Sequence, residues 1–154
     1  MSLCCDVIKA LKGRSLATAE SCTGGGIGAA LTAVPGSSAV YKGGVISYTN
    51  EIKHKLLGVK VETLVAFGAV SEAVAKEMAE GAKKALSSDF ALSVTGLAGP
   101  GGDDYGNSVG TVFIGYADEQ TAFAQKYLFS GDREAVRNSA IEAALKLLLR
   151  QIDK

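Results

Sequence analysis

Leu16-Ala17-Thr18-Ala19-Glu20-Ser21-Cys22-Thr23-Gly24-Gly25-Gly26-Ile27 changes character halfway along. Leu16 to Glu20 reads as a short strand. Ser21 to Gly26 breaks the pattern and ends in consecutive glycines. Ile27 to Val34 then reads as a helix, stopped by Pro35-Gly36. A strand that turns through glycines into a helix lets backbone pass close to a ligand. The helix start aims N–H groups at the same place, which suits a phosphate, a carboxylate or an oxyanion. A glycine-rich turn chosen for tight packing would look the same. The run is neither a Walker A loop, lacking GK[ST], nor a GxGxxG dinucleotide fingerprint.

Upstream, residues 3–12 read as a helix with Leu3, Val7, Ile8 and Leu11 on one face and Gly13 as its stop. Downstream, Val40 to Tyr48 is a strand, and Gly43-Gly44 marks a bulge or a close backbone approach. Asn50 is placed as the N-cap of a short helix through Leu57, ended by Gly58. Val61 to Phe67 forms another, and Ser71 caps a longer helix through Leu86. Phe90 to Thr95 is apolar on both faces and so central. A glycine-rich loop spans residues 96–108. Val109 to Ala117 and Thr121 to Phe129 read as a hairpin around Asp118-Glu119-Gln120. Asp132 or Arg133 opens a last helix that runs to about Ile152.

The order α-β-α-β-α-α-α-β-β-β-α predicts a single domain over residues 1–154. Its fold class is α/β, a three-layer α/β/α sandwich with a mixed, mostly parallel sheet. Ligands in such sheets sit beyond the carboxyl ends of parallel strands. The loops after Glu20, Tyr48 and Thr95 are therefore the expected site.

Composition narrows the function. Of 154 residues, 47% are hydrophobic and 21% charged, enough for one core and against disorder. Lys plus Arg is 16 and Asp plus Glu is 16, which excludes the broad basic surface of a nucleic-acid binder. No apolar run approaches the roughly 20 residues of a membrane span. The first apolar stretch, Leu3 to Leu11, contains Asp6 and Lys9, which argues against a secretory signal. Cys4, Cys5 and Cys22 form no disulfide pattern and predict reduced thiols in a cytoplasmic protein. One histidine and no CxxC spacing predict no metal.

Two nucleophiles compete in the glycine turn. Cys22 lies near a helix N-terminus, which can lower a thiol pKa, but its only histidine partner would be His54. A small buried hydrophobe is the other reading of Cys22. Ser21 needs a base. Lys53 falls in the first turn of a helix, where the dipole opposes its charge; burial would lower its pKa further. A neutral lysine can then take a serine proton. A solvated surface lysine is the plainer alternative. Tyr48, at its strand's end, can pass a proton or orient the lysine. Thr95 ends the central strand and can donate its O–H, with Gly96 opening the loop beyond. Arg133 beside a helix start is a good phosphate clamp, and Arg137 follows one turn on. Solvated arginines after an Asp132 cap are the alternative.

Together these runs resemble the CinA C-terminal domain family. The resemblance is carried by Thr18-Ala19-Glu20-Ser21-Cys22-Thr23-Gly24-Gly25, Tyr48-Thr49-Asn50-Glu51 with Lys53, and Leu57-Gly58-Val59. Gly68-Ala69-Val70-Ser71, Thr95-Gly96-Leu97-Ala98-Gly99-Pro100 and Ser130-Gly131-Asp132-Arg133 extend it over almost the whole chain. Stand-alone members of that family are nicotinamide-nucleotide amidases. The resemblance implies hydrolysis of the carboxamide of nicotinamide mononucleotide to nicotinate mononucleotide and ammonia. It implies Ser21 as the nucleophile, Lys53 as its base and Tyr48 as an aid to proton transfer. It places Thr95 and Gly96 at the nucleotide with Arg133 or Arg137. Backbone N–H groups of Thr23, Gly24 and Gly25 would hold an oxyanion or a phosphate. No metal or other cofactor is implied, and the family fold is an α/β/α sandwich, usually dimeric or otherwise homo-oligomeric. A non-catalytic nucleotide-binding module is the competing reading. Related proteins often carry an extra N-terminal domain linked to pyrophosphatase activity, so that activity is not expected of these residues. Many members also carry a proline just before the Val-Gly of the hairpin, where this chain has Asp104-Tyr105-Gly106-Asn107-Ser108 before Val109-Gly110.

Overall fold

The fold is described from a computed structural model, over residues 2–153. In chain order its elements are α1 (Ser2–Leu11), β1 (Leu16–Glu20), α2 (Gly26–Thr32), a 3₁₀ turn (Ser37–Ala39) and β2 (Tyr41–Ile46). There follow α3 (Asn50–Leu57), α4 (Val61–Phe67), α5 (Glu72–Leu86), β3 (Phe90–Gly96), β4 (Thr111–Ala117), β5 (Ala122–Leu128) and α6 (Arg133–Ile152). The expected order holds, with the 3₁₀ turn added between α2 and β2.

β1 is buried along its full length, and its alternation sets the layers. Leu16 packs with Leu31, Leu92, Val94, Ile114, Val136 and Leu148 under α1, α2 and α6. Ala17 and Ala19 pack with Val74, Met78 and Leu57 under α3 and α5. The sheet order is β2-β1-β3-β4-β5. β2, β1 and β3 are parallel; β4 and β5 complete the sheet antiparallel. Helices cover both faces, so the chain is an α/β/α sandwich with a parallel centre and an antiparallel end.

Close approach between layers depends on glycine at two points. A Cβ on Gly81 of α5 would collide with the carbonyl of Leu57, at the end of α3. A Cβ on Gly44 of β2 would collide with the Thr18 side chain. The Gly43-Gly44 signal is thus a close approach, and the β1–β2 register also shifts opposite it, between Leu16 and Ala17.

Candidate functional site

At the carboxyl end of β1 the strand alternation parts two neighbours. Glu20, 2% exposed, turns toward α2. Its carboxylate accepts from Thr23 Oγ1 at 2.7 Å, Ile27 N–H at 2.8 Å and Gly28 N–H at 3.0 Å. Glu20 therefore caps α2 from within its own chain. The sequence alone predicts those N–H groups to be free for a ligand; the Glu20 carboxylate holds two of them. A carboxylate at the end of a strand gave no pattern that would mark it as a cap.

Ser21 turns the other way, toward α3. The ladder extends to it, since Ser21 N–H donates to Val94 O at 2.9 Å. Lys53 comes in from α3 and is 1% exposed. Its Nζ lies 3.0 Å from Ser21 Oγ and donates to Ser47 O at 2.8 Å. Burial lowers the Lys53 pKa to about 8, with the nearby Cys22 pulling the other way. The cap of α3 is Thr49, whose Oγ1 accepts from Ile52 N–H at 3.3 Å. Asn50 is thus the first helical residue, and Lys53 sits one place further in than an Asn50 cap would set it. The threonine wins because β2 leaves it in extended geometry, with φ −106° and ψ 159°. Cys22 is buried beside this pair. Its thiol is pushed up to about 11 by that burial, so thiolate is scarce at neutral pH. His54 packs outward, with Nδ1 2.7 Å from Val59 O.

These residues floor a cleft of about 410 Å³. Ser21, Lys53, Tyr48, Thr95, Gly96 and Arg133 all line it. Asn50 and the run Leu97 to Gly102 line it too. Among the described residues that line it, Lys53 and Arg133 are the only charged ones, so the cleft favours an anion. Tyr48 stands at the rim, 58% exposed. Its hydroxyl is 3.0 Å from Arg133 Nη2, and it makes no hydrogen bond to Lys53. Arg133 Nη1 donates to Gly99 O at 2.8 Å, so this arginine ties the β2 exit to the loop after β3.

Thr23, Gly24, Gly25 and Arg137 are not on its lining. Arg137 Nε donates to Cys22 O at 3.0 Å and Nη2 to Thr23 O at 3.1 Å. It fixes the turn that carries Ser21. The loop after β3 is also held: Asp103 accepts from Tyr105 N–H and Asn107 N–H, both at 3.1 Å. Tyr105 Oη donates to Val65 O at 2.9 Å, and Asn107 Nδ2 to Val70 O at 3.0 Å.

No group of three or more His, Cys, Asp or Glu side chains is placed to hold a metal among the described residues. No helix there is long and apolar enough to cross a membrane.

Similar proteins share this architecture. A CinA superfamily protein from Klebsiella pneumoniae superimposes with a TM-score of 0.96 at 38% identity, covering 99% of this chain and 96% of that one. The competence/damage inducible protein CihA from Agrobacterium tumefaciens gives 0.94 at 38%, covering 99% and 94%. A CinA-like protein of Endomicrobium trichonymphae is 51% identical over 139 residues, 90% of this chain and 32% of its own length. One of Thermosynechococcus vestitus is 51% identical over 142 residues, 90% of this chain and 34% of that protein. The chain thus spans about a third of these two curated relatives. Residues 3–152 match the CinA C-terminal domain, and the chain belongs to that family.

Proposed function

We propose that the chain is a metal-independent serine amidohydrolase that converts nicotinamide mononucleotide and water to nicotinate mononucleotide and ammonia. The observation that carries this reading is the buried contact of Lys53 Nζ with Ser21 Oγ at 3.0 Å on the floor of an anion-favouring cleft. Neutral Lys53 takes the Ser21 proton as Oγ attacks the carboxamide carbon. The C–N bond breaks, the lysine returns the proton to the departing nitrogen, and an acyl-serine remains. Water, deprotonated by the same lysine, releases the acid. Cys22 N–H follows the nucleophile directly and donates to no other residue in the described chain; it is the oxyanion donor of this reading.

Arg133 binds the phosphate, with Thr95 and the Gly96 loop against the rest of the nucleotide. Tyr48 assists proton transfer once a phosphate draws Arg133 away from its hydroxyl. Thr23, Gly24, Gly25 and Arg137 support the nucleophile turn. The same reading carries a cytoplasmic, homo-oligomeric protein whose residues 1–154 act as one domain. The test is incubation with nicotinamide mononucleotide, with product followed by chromatography and Ser21→Ala run in parallel. Product from the native chain alone is expected. Nucleotide binding without product from either would instead mark a binding module.

A further inference from the structure

Thr95, the last residue but one of β3, has its hydroxyl already committed. Oγ1 donates to Ala69 O at 2.8 Å. A carbonyl oxygen has no hydrogen to give, so the one hydroxyl hydrogen of Thr95 is spent there. Lone pairs are all that Oγ1 can still offer. Thr95 is 1% exposed, yet it lines the cleft. Its place beside the nucleophile follows from register. Glu20 pairs with Val94 across the parallel strands, so one residue further on Ser21 stands beside Thr95. Ala91, Ser93 and Thr95 share the sheet face of Ala17, Ala19 and Ser21: Ala91 packs with Ala17 and Ala19, and Ser93 Oγ donates to Ala75 O at 2.6 Å. Sequence reading cast Thr95 as a donor. The structure leaves it an acceptor only.

We propose that Thr95 Oγ1 accepts a hydrogen bond from the N–H of the substrate carboxamide, so that the site selects amides over the carboxylates they become. This rests on the amidase reading above. A carboxamide sets an NH₂ donor against the Thr95 lone pairs. A carboxylate sets only lone pairs and negative charge there, leaving a buried acceptor unpaired and opposed. Hydrolysis replaces the donor with an oxygen, and the contact changes from attraction to repulsion. Product release is built into the same atom that recognises substrate.

The experiment compares two substrates that differ at that contact: nicotinamide mononucleotide and the methyl ester of nicotinate mononucleotide, which has no N–H. In Thr95→Val the kcat/KM for the amide should fall about tenfold or more, and that for the ester by less than about threefold. Thr95→Ser should restore the native ratio. Parallel losses on both substrates, or no loss on the amide, would overturn the assignment. If Thr95→Val does not fold, binding to Ser21→Ala decides. At pH about 9, above the Lys53 pKa, the amide should bind at least about tenfold more tightly than the acid; equal or reversed binding overturns the proposal. Failure of the amidase reading looks different, since the native chain would then turn over neither amide nor ester.

Discussion

Glu20 and Ser21 are adjacent in the chain, yet their side chains serve opposite faces of the sheet. Glu20 receives Ile27 and Gly28 N–H groups on the α2 side, while Ser21 meets Lys53 on the α3 side. One residue anchors the turn and the next lines the cleft. Substituting Glu20→Ala leaves the buried Ile27 N–H, the half-buried Gly28 N–H and the buried Thr23 hydroxyl unpaired. Each unpaired donor costs about 1–3 kcal/mol. Chemical denaturation of Glu20→Ala should therefore show a loss of several kcal/mol, with activity falling as the turn loosens. A loss below about 1 kcal/mol would show that the cap is not structural.

Replacing Ser21 by Ala, or Lys53 by Ala, should lower kcat by about three orders of magnitude or more. Cys22→Ala should cost at most about tenfold, because a thiol held near 11 supplies little thiolate and its backbone N–H is retained. Steady-state rates on nicotinamide mononucleotide check this. A greater loss in Cys22→Ala than in Ser21→Ala would reverse the choice of nucleophile.

On the proposed mechanism Lys53 must be neutral to act as base, and its pKa is lowered to about 8. Activity should therefore rise with pH, near tenfold per unit below about 8, and level off above it. Stability carries the same signature with a fixed sign. The folded pKa lies below the unfolded value of 10.5, so between about 8 and 10.5 the unfolded chain binds more protons. The native chain should gain stability relative to Lys53→Met as pH rises through that window, and not below it. Paired melting curves across the range test this; a constant difference would mean that Lys53 is not perturbed.

Tyr48 and Arg133 are coupled by their 3.0 Å hydrogen bond. If a substrate phosphate must release Tyr48 for proton transfer, Tyr48→Phe should lower kcat on the nucleotide by about 10–100-fold. On the phosphate-free riboside the same change should cost little. Arg133→Ala should raise KM for the nucleotide by about tenfold or more. Arg137→Ala should instead lower the melting temperature, since its guanidinium holds Cys22 O and Thr23 O. Equal effects of Tyr48→Phe on both substrates would disconnect it from the phosphate.

Gly81→Ala separates propensity from packing. In an exposed helix this change stabilises by about 1 kcal/mol. Here the added carbon meets the Leu57 carbonyl, which is backbone and cannot step aside cheaply. The expected result is a net loss of about 1–3 kcal/mol, with α3 pushed outward and Lys53 with it. Denaturation together with the turnover rate measures both effects.

The sequence made the site legible where its residues lie at strand ends, and less so where side chains reach back. The loops after β1, β2 and β3 are expected at one end of the sheet, and Ser21, Lys53 and Thr95 do line one cleft; element order alone leaves Ser21 against Cys22, and a buried against a solvated Lys53, open. Thr49 and Asn50 are both good caps by residue type, and the extended backbone at Thr49 makes it the cap in place of the expected Asn50. Arg133 and Arg137 sit four apart on one helix face, so spacing gave them the same task. Their reach differs: one faces the cleft and the other the turn that carries Ser21. The loop of residues 96–108 carried no periodicity. Its order comes from Asp103, Tyr105 and Asn107 finding backbone partners, which no local pattern announces.

Ser21, Lys53, Thr95 and Arg133 reach the cleft from four well-separated segments, brought together by a sheet whose centre strand, β3, comes more than halfway along the chain. No short fragment can hold the site. On the amidase reading, recovery of turnover after dilution from denaturant should therefore follow the closing of the entire sheet. A chain cut between β3 and β4 and supplied as two pieces would regain activity only in the assembled pair, which makes this fold a ready complementation reporter.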